Sequence, residues 1–382
     1  MPTDTLPWSR KNPFPAKLLV NRGLSGMYSA NDTRHYELSL ADSGLSFEAG
    51  DAMGVVESNC LNLVQDILNA LHCTGDELVP DGEGEPKRLR EALWKDCAIT
   101  KPSPQFLHAL VEKAGDSAPF LRGLLSPDQK EALEHYLDGL HIIDLLEEHP
   151  SACFTPEEFV KVLRKLTPRL YSVASSPKMY PDQVHLTVAT VRYESKGRLR
   201  KGVCSTYLAE RVAVGSLVPI FVHVAKGFRL PEDGNTPILM VGAGTGIAPF
   251  RAFLQERIAT GARGGNWVFF GGQLEKEDFL YREEFQKMQA DGVLTRLDTA
   301  FSRDQEEKIY VQHRMLENAA EIWKWLEQGA HFFVCGDAAR MAKDVHAALH
   351  SIVQTEGGKT PEEASQYLET MEKTKRYKRD VY

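Results

Sequence analysis

Hydrophobic and polar positions change texture three times along this chain. From about Ala16 to Val56, and again from about Arg169 to Val224, short β-branched runs are broken by Gly, Asp and Asn, the punctuation of an all-β sheet. Between those blocks the period becomes helical. In Leu61-Asn-Leu-Val-Gln-Asp-Ile-Leu-Asn-Ala-Leu71 the apolar residues recur at helical spacing. Two further helix starts have the sequence of capping boxes, Ser126-Pro127-Asp128-Gln129 and Thr155-Pro156-Glu157-Glu158. In each, a hydroxyl caps, proline fills the first turn, and an amide or carboxylate reaches back. The economical reading is a β domain interrupted by a helical insertion.

From about Thr236 onward, apolar runs suited to buried parallel strands alternate with helical patterns. The strand candidates are Ile238-Leu-Met-Val241, Trp267-Val-Phe-Phe270, Leu294-Thr-Arg-Leu297 and His331-Phe-Phe-Val334. This rhythm predicts a doubly wound parallel sheet, which binds ligands beyond the carboxyl ends of its strands. Gly242-Ala-Gly244-Thr245-Gly246-Ile-Ala-Pro249 follows the first of those strands and opens a helix from Phe250 to Arg257. A loop of that kind lets backbone amides and a positive helix end approach a pyrophosphate. Ile247 stands where G-x-G-x-x-G would have its third glycine, so by itself the segment also reads as a tight turn. The βαβ context favours the nucleotide.

Composition narrows the class. A chain of 382 residues suits two or three domains, and 42% apolar with 26% charged residues describes a globular protein. A net charge of −8 exerts no general pull toward nucleic acid or anionic membranes. Apolar stretches such as Leu217-Val-Pro-Ile-Phe-Val-His-Val224 fall far short of the ~20 residues that span a bilayer. The start, Met-Pro-Thr-Asp-Thr, lacks the basic and apolar pattern of a signal peptide, which leads us to expect a cytoplasmic protein. Six scattered cysteines form no C-x-x-C pair, so zinc and iron–sulfur ligation are not expected. His346 and His350 stand four apart on a probable helix but lack a third ligand, and no metal is expected there. Trp323 and Trp325 read as packing, and Asp81-Gly-Glu-Gly-Glu-Pro86 as an acidic turn-forming loop.

The glycine loop, continued by Phe-Arg-Ala-Phe, resembles the NADP loop of the ferredoxin–NADP reductase family. Three more motifs are similar to that family's in order and spacing. Arg169-Leu170-Tyr171-Ser172 resembles its FAD signature, Gly202-Val203-Cys204-Ser205 its flavin pyrophosphate loop, and Cys335-Gly336-Asp337 its turn toward the nicotinamide. The helical insertion resembles that of the diflavin branch. Leu166 to Ser176, Asp278-Phe-Leu-Tyr-Arg282, Ser302-Arg-Asp-Gln305 and the ending Arg376-Tyr-Lys-Arg-Asp-Val-Tyr382 are similar to bacterial members that serve sulfite reduction. The fold implied is α/β plus β. An FAD-binding antiparallel β barrel (residues 1–60 and 166–230) contains a helical connecting insertion (61–165). A doubly wound parallel-sheet NADP-binding domain (231–382) follows, with a flavin-covering tail.

The resemblance also implies roles. Arg169 would grip the FAD pyrophosphate as a forked permanent cation, Leu170 belongs to the same signature, Tyr171 would lie flat on the isoalloxazine, and Ser172 would sit near flavin N5. Thr187, Val188, Ala189 and Tyr193 would line the adenosine side, and Gly202, Val203, Cys204 and Ser205 would hold the pyrophosphate. Thr100 reads equally as a further FAD contact or an ordinary loop threonine. Gly244, Thr245 and Gly246 would bind NADPH. Ser302, Arg303, Lys308, Tyr310 and Gln312 would read its 2′-phosphate and adenine, with Asp344 as a further contact. Cys335, Ser172 and Asp380 would surround the reacting atoms, and Tyr382 would cover the flavin as a movable lid.

The expected function is NADPH-dependent reduction of FAD, with electrons passed to a separate carrier: a flavodoxin, a ferredoxin or the sulfite reductase hemoprotein. A separate carrier is expected because module-like sequence is reached by about Trp8 with no flavodoxin phosphate loop. A general NADPH–flavodoxin or ferredoxin reductase is the alternative within the enzyme class. A regulatory subunit that binds dinucleotides without turnover is the alternative outside it, and intact Ser172, Cys335 and Asp380 argue against that.

Overall fold

The computed structural model describes residues 8–80 and 85–382; the Met1 to Thr5 start and most of the acidic loop at 81–86 lie outside the described residues. Its strands are β1 (Phe14–Gly23), β2 (Asp32–Ser39), β3 (Ala52–Val55), β4 (Leu78–Val79), β5 (Lys87–Arg88), β6 (Arg169–Ser172), β7 (Gln183–Thr190), β8 (Arg192–Ser195), β9 (Arg198–Lys201), β10 (Leu217–His223), β11 (Ile238–Ala243), β12 (Asn266–Gly272), β13 (Arg296–Phe301), β14 (His331–Gly336) and β15 (Tyr377–Val381). The chain divides into two compact units. The first is Met1–Val55, Leu170–Thr190 and Val212–Tyr382; the second is Val56–Arg169 and Val191–Arg211.

In the first unit a six-stranded sheet runs in the order β6-β3-β10-β1-β2-β7. Strand β1 is antiparallel to β10 and β2, β10 to β3, and β2 to β7. Val173, just past β6, bridges Leu186 of β7, so the sheet returns on itself as a barrel. Buried Leu18, Tyr36, Leu38, Met53, Val184 and Ile220 fill its interior.

The same unit contains a five-stranded, all-parallel sheet in the order β13-β12-β11-β14-β15. Its central run Ile238 to Val241 is wholly buried, as a strand covered on both faces requires. The strand expected at 294–297 instead begins at Arg296. The amides of Val293 and Leu294 both donate to Met288 O, closing the helix Arg282–Ala290 before the ladder starts. The fifth strand, β15, was not expected. Its Tyr-Lys-Arg-Asp-Val sequence carries the charges typical of a sheet edge, which hide the strand from a hydropathy reading.

The second unit is mainly helical. Helices Leu61–Ala70, Leu89–Lys95, Pro104–Ala114, Ile142–Glu148 and Pro156–Val162 pack around Val64, Ile67, Leu68, Phe106, Leu110 and Phe159. The Thr155 capping box forms: Glu158 N donates to Thr155 Oγ1 and Thr155 N to Glu158 Oε2. The Ser126 box does not. Asp128 accepts from Ser126 Oγ at 2.6 Å and from Gln129 Nε2 at 3.0 Å, and the expected helix is entered through a 3₁₀ turn, Pro127–Gln129, that leads into Lys130–Leu137. The β8–β9 hairpin groups with these helices because Arg200 forks onto Asp144 and Arg198 onto Glu147. Among the described residues no helix is long and apolar enough to cross a membrane.

Candidate functional site

Three strands of the first unit deliver the predicted reacting residues. Ser172 ends β6, Cys335 lies near the end of β14, and Asp380 lies on β15, where the parallel register pairs it with Cys335. Ser172 Oγ donates to Asp380 Oδ2 at 2.6 Å, and Cys335 Sγ donates to the same oxygen at 3.9 Å. Burial, and then the Asp380 charge, push the Cys335 thiol well above its ordinary range. A thiol held neutral is a packing group and weak donor, not a nucleophile.

Tyr382 continues β15. Its amide donates to Gly336 O, its carbonyl accepts from Ala338 N, and its hydroxyl lies 2.8 Å from Thr245 Oγ1. The residue is still 64% exposed. Leu170 is exposed, and Tyr171 is half-buried on the same strand.

The glycine loop has the shape that its sequence requires. Gly244 adopts φ +53°, and a Cβ on Gly246 would stand 2.1 Å from the Cys335 carbonyl oxygen. One 3₁₀ turn, Gly244–Ile247, leads into the helix Ala248–Thr260, with buried Ile247 in place of a third glycine. Ser302 and Arg303 lie in the turn after β13, their amides bonded to Gly272 O and Gln273 O. Arg303 and Lys308 are exposed and make no ion pair among the described residues. Tyr310 is 42% exposed, and Gln312 Nε2 reaches Asp344 Oδ2 at 3.3 Å. Two exposed cations, an aromatic face and an amide are therefore available to a phosphorylated nucleoside.

One buried cluster was missed by sequence reasoning. Tyr281 takes a left-handed φ of +56°, and its hydroxyl lies 2.8 Å from His35 Nδ1 and 2.7 Å from Thr187 Oγ1. His35 Nε2 meets Glu37 at 3.1 Å. Hydrogen-bond logic orders this as a chain, Thr187 to Tyr281 to His35 to Glu37. Arg251, from the helix that follows the glycine loop, donates to Ala174 O and His185 Nδ1 and pairs with Glu284 at 2.8 Å. Burial, and then Arg251, lower His35 to about 2 and His185 to about 3. His35, Glu37 and His185 lie close enough to suggest a metal, but Arg251 sets a permanent positive charge against His185. Residues 35, 185, 187, 251 and 281 are too scattered in sequence to signal one another. The Thr187 hydroxyl is engaged here and its side chain is buried; Val188 is also buried and Ala189 is partly exposed. His346 bonds Tyr377 and His350 bonds Ser365, while Trp325 packs on Trp267 and Trp323 on Tyr367.

The second unit holds a cleft of about 320 Å³ lined by Asn59, Cys60, Thr100, His141, Arg198, Arg200, Lys201, Val203, Thr206 and Arg211, among others. Val203 and Thr206 belong to the turn predicted to hold a pyrophosphate. Gly202 N donates to Val191 O, Ser205 Oγ accepts from Val191 N, and Val203–Thr206 form a short helix with Cys204 buried. Arg211 braces that turn by donating to Val203 O and Ser58 O. Among the described residues Arg200 Nε and Arg211 Nε are buried there as donors without a hydrogen-bond partner, which suits a phosphorylated ligand, while the Asn59 Oδ1 acceptor, also without one, does not bear on phosphate. Arg169 is exposed. Near it, burial raises Glu57 to about 7 against the pull of Arg169 and Arg211. Tyr193 is partly exposed, its hydroxyl 3.4 Å from His141 Nε2. Thr100 thus joins the cleft; the run of cations from 198 to 201 was the available signal for the rest.

Residues 6–207 match the family described as FAD binding domain, and residues 240–347 the family described as oxidoreductase NAD-binding domain. The chain is 47% identical over 376 residues to the sulfite reductase [NADPH] flavoprotein alpha-component of Bacillus subtilis, covering 98% of this chain and 62% of that protein. The component of the same name from Aliivibrio fischeri is 45% identical over 378 residues, with 99% and 62% covered, and that from Vibrio cholerae 45% over 375, with 98% and 60%. The chain therefore spans about three-fifths of the length of these relatives.

Proposed function

This chain belongs to the family of FAD binding domains, and from that premise we propose that it takes reducing equivalents from NADPH and passes them singly to an electron carrier. FAD, when bound, supplies the acceptance of a hydride and its release as single electrons. The protein supplies position and electrostatics. Arg169 and the Gly202 to Ser205 turn hold pyrophosphate, Thr187 to Ala189 and Tyr193 line the adenosine, and Tyr171 and Tyr382 cover the ring. Gly244 to Gly246 receive the dinucleotide, while Ser302, Arg303, Lys308, Tyr310, Gln312 and Asp344 read its phosphorylated adenosine. The observation that carries this reading is the single Asp380 oxygen shared by the Ser172 hydroxyl and the Cys335 thiol. Such a group can hold a nicotinamide close without competing as a nucleophile.

The relatives are named as the flavoprotein alpha-component of sulfite reductase, and we infer that the acceptor is the hemoprotein of that enzyme, in assimilatory sulfite reduction in the cytoplasm. The test is NADPH-dependent sulfide formation with the matching hemoprotein, with and without added flavodoxin. Sulfide in either arm is expected. Brisk flavodoxin reduction without sulfide in both arms would instead establish a general NADPH–flavodoxin reductase. For the nucleotide, Arg303→Ala is expected to raise the Michaelis constant for NADPH about ten- to a hundredfold, as for a lost charged hydrogen bond, and to leave that for NADH nearly unchanged. Equal effects on both would remove Arg303 from phosphate recognition.

A further inference from the structure

The closing of the chain end is built differently from a free lid. Strand β15 is zipped to β14 through the Gly336↔Val381 register, and two more backbone hydrogen bonds, Tyr382 N to Gly336 O and Ala338 N to Tyr382 O, pin the last residue. Swinging the tail away as a unit would strip those bonds from an otherwise continuous parallel sheet. Torsion of the Tyr382 side chain strips none of them.

The Tyr382 hydroxyl resists that torsion through a hydrogen bond. Its partner is Thr245 Oγ1, at 2.8 Å. Thr245 cannot follow a departing ring, because its loop is held on both sides. Gly244 is left-handed, and the next glycine lies so close to the Cys335 carbonyl that even a methyl group would not fit. We propose that the Thr245–Tyr382 hydroxyl pair is a latch that sets how readily a nicotinamide displaces the terminal ring, with Thr245 as its fixed half. This rests on the dinucleotide reading of the glycine loop.

The probes are NADP⁺, which carries the nicotinamide, and 2′,5′-ADP, which does not. Each is titrated calorimetrically into FAD-loaded wild type, Tyr382→Phe, Thr245→Val and the double variant. Tyr382→Phe keeps the ring and removes the latch. It should lower the NADP⁺ dissociation constant about two- to tenfold, the range of one neutral hydrogen bond, and leave 2′,5′-ADP unchanged. In the Thr245→Val background the same substitution should have no effect. An unchanged NADP⁺ constant, an equal shift for 2′,5′-ADP, or an undiminished effect in the Thr245→Val background would each overturn the latch. Wild type that takes up FAD but binds no NADP⁺ would remove the dinucleotide reading, and the latch with it.

Discussion

The two compact units bury different things. The first encloses hydrogen-bonded polar groups: His35, His185, Thr187 and Arg251 are all nearly inaccessible, and Ser172, Cys335 and Asp380 share one carboxylate oxygen. The second has an apolar helical core, with its charges gathered on a cleft as Arg198, Arg200, Lys201 and Arg211. The difference follows the work proposed for each. A phosphate can be held by permanent cations that tolerate small errors of placement. A reacting carbon must be placed to within fractions of an ångström, which calls for short, mutually satisfied bonds in a dry setting.

Acid should separate the units most. His35 and His185 both titrate below the ordinary 6.5 in the folded state, so the folded protein binds fewer protons than the unfolded chain. Their contribution is complete above pH 6.5 and is lost as pH falls. One group loses about 1.4 kcal/mol per pH unit; two coupled groups together lose roughly 2 kcal/mol per unit between pH 6.5 and 5. In the second unit the shifts oppose each other. Burial lowers His141 to about 4, which costs stability in acid, and raises Glu57 to about 7, which restores it. Hydrogen exchange corrected for intrinsic rates should therefore show protection falling with acid in the first unit and nearly level in the second. A parallel fall in both would break the contrast.

At the cation-rich end, Arg169→Ala should raise the FAD dissociation constant about ten- to a hundredfold, the loss of a charge-assisted hydrogen bond. Fluorescence titration of the apoprotein measures this; retention of wild-type affinity would take Arg169 out of the cradle. The smallest effect is expected at the shared carboxylate. Asp380→Asn keeps the shape and one acceptor oxygen, so stopped-flow bleaching of the flavin by NADPH should slow only about three- to tenfold, with FAD content unchanged. Loss of FAD from this variant would instead give Asp380 a structural role.

Local chemistry made much of this legible beforehand. The helix from Leu61, the capping box at Thr155 and the buried runs at Ile238, Trp267 and His331 are decided by neighbours a few residues apart, and the sequence shows all of them. The glycines at 244 and 246 were equally readable, because a left-handed φ and a carbonyl at 2.1 Å leave no room for another residue.

Other features depend on partners far along the chain. Tyr377 to Val381 is a strand because β14 offers an open edge, and that register alone sets Asp380 beside Cys335 and within reach of Ser172. The Thr187–Tyr281–His35 chain joins three elements with no common motif. The residues that carry chemistry were thus determined by the sequence. Which oxygen they share, and what holds the last tyrosine, only the tertiary structure decided, because hydrogen bonds depend on distances that residue order does not contain.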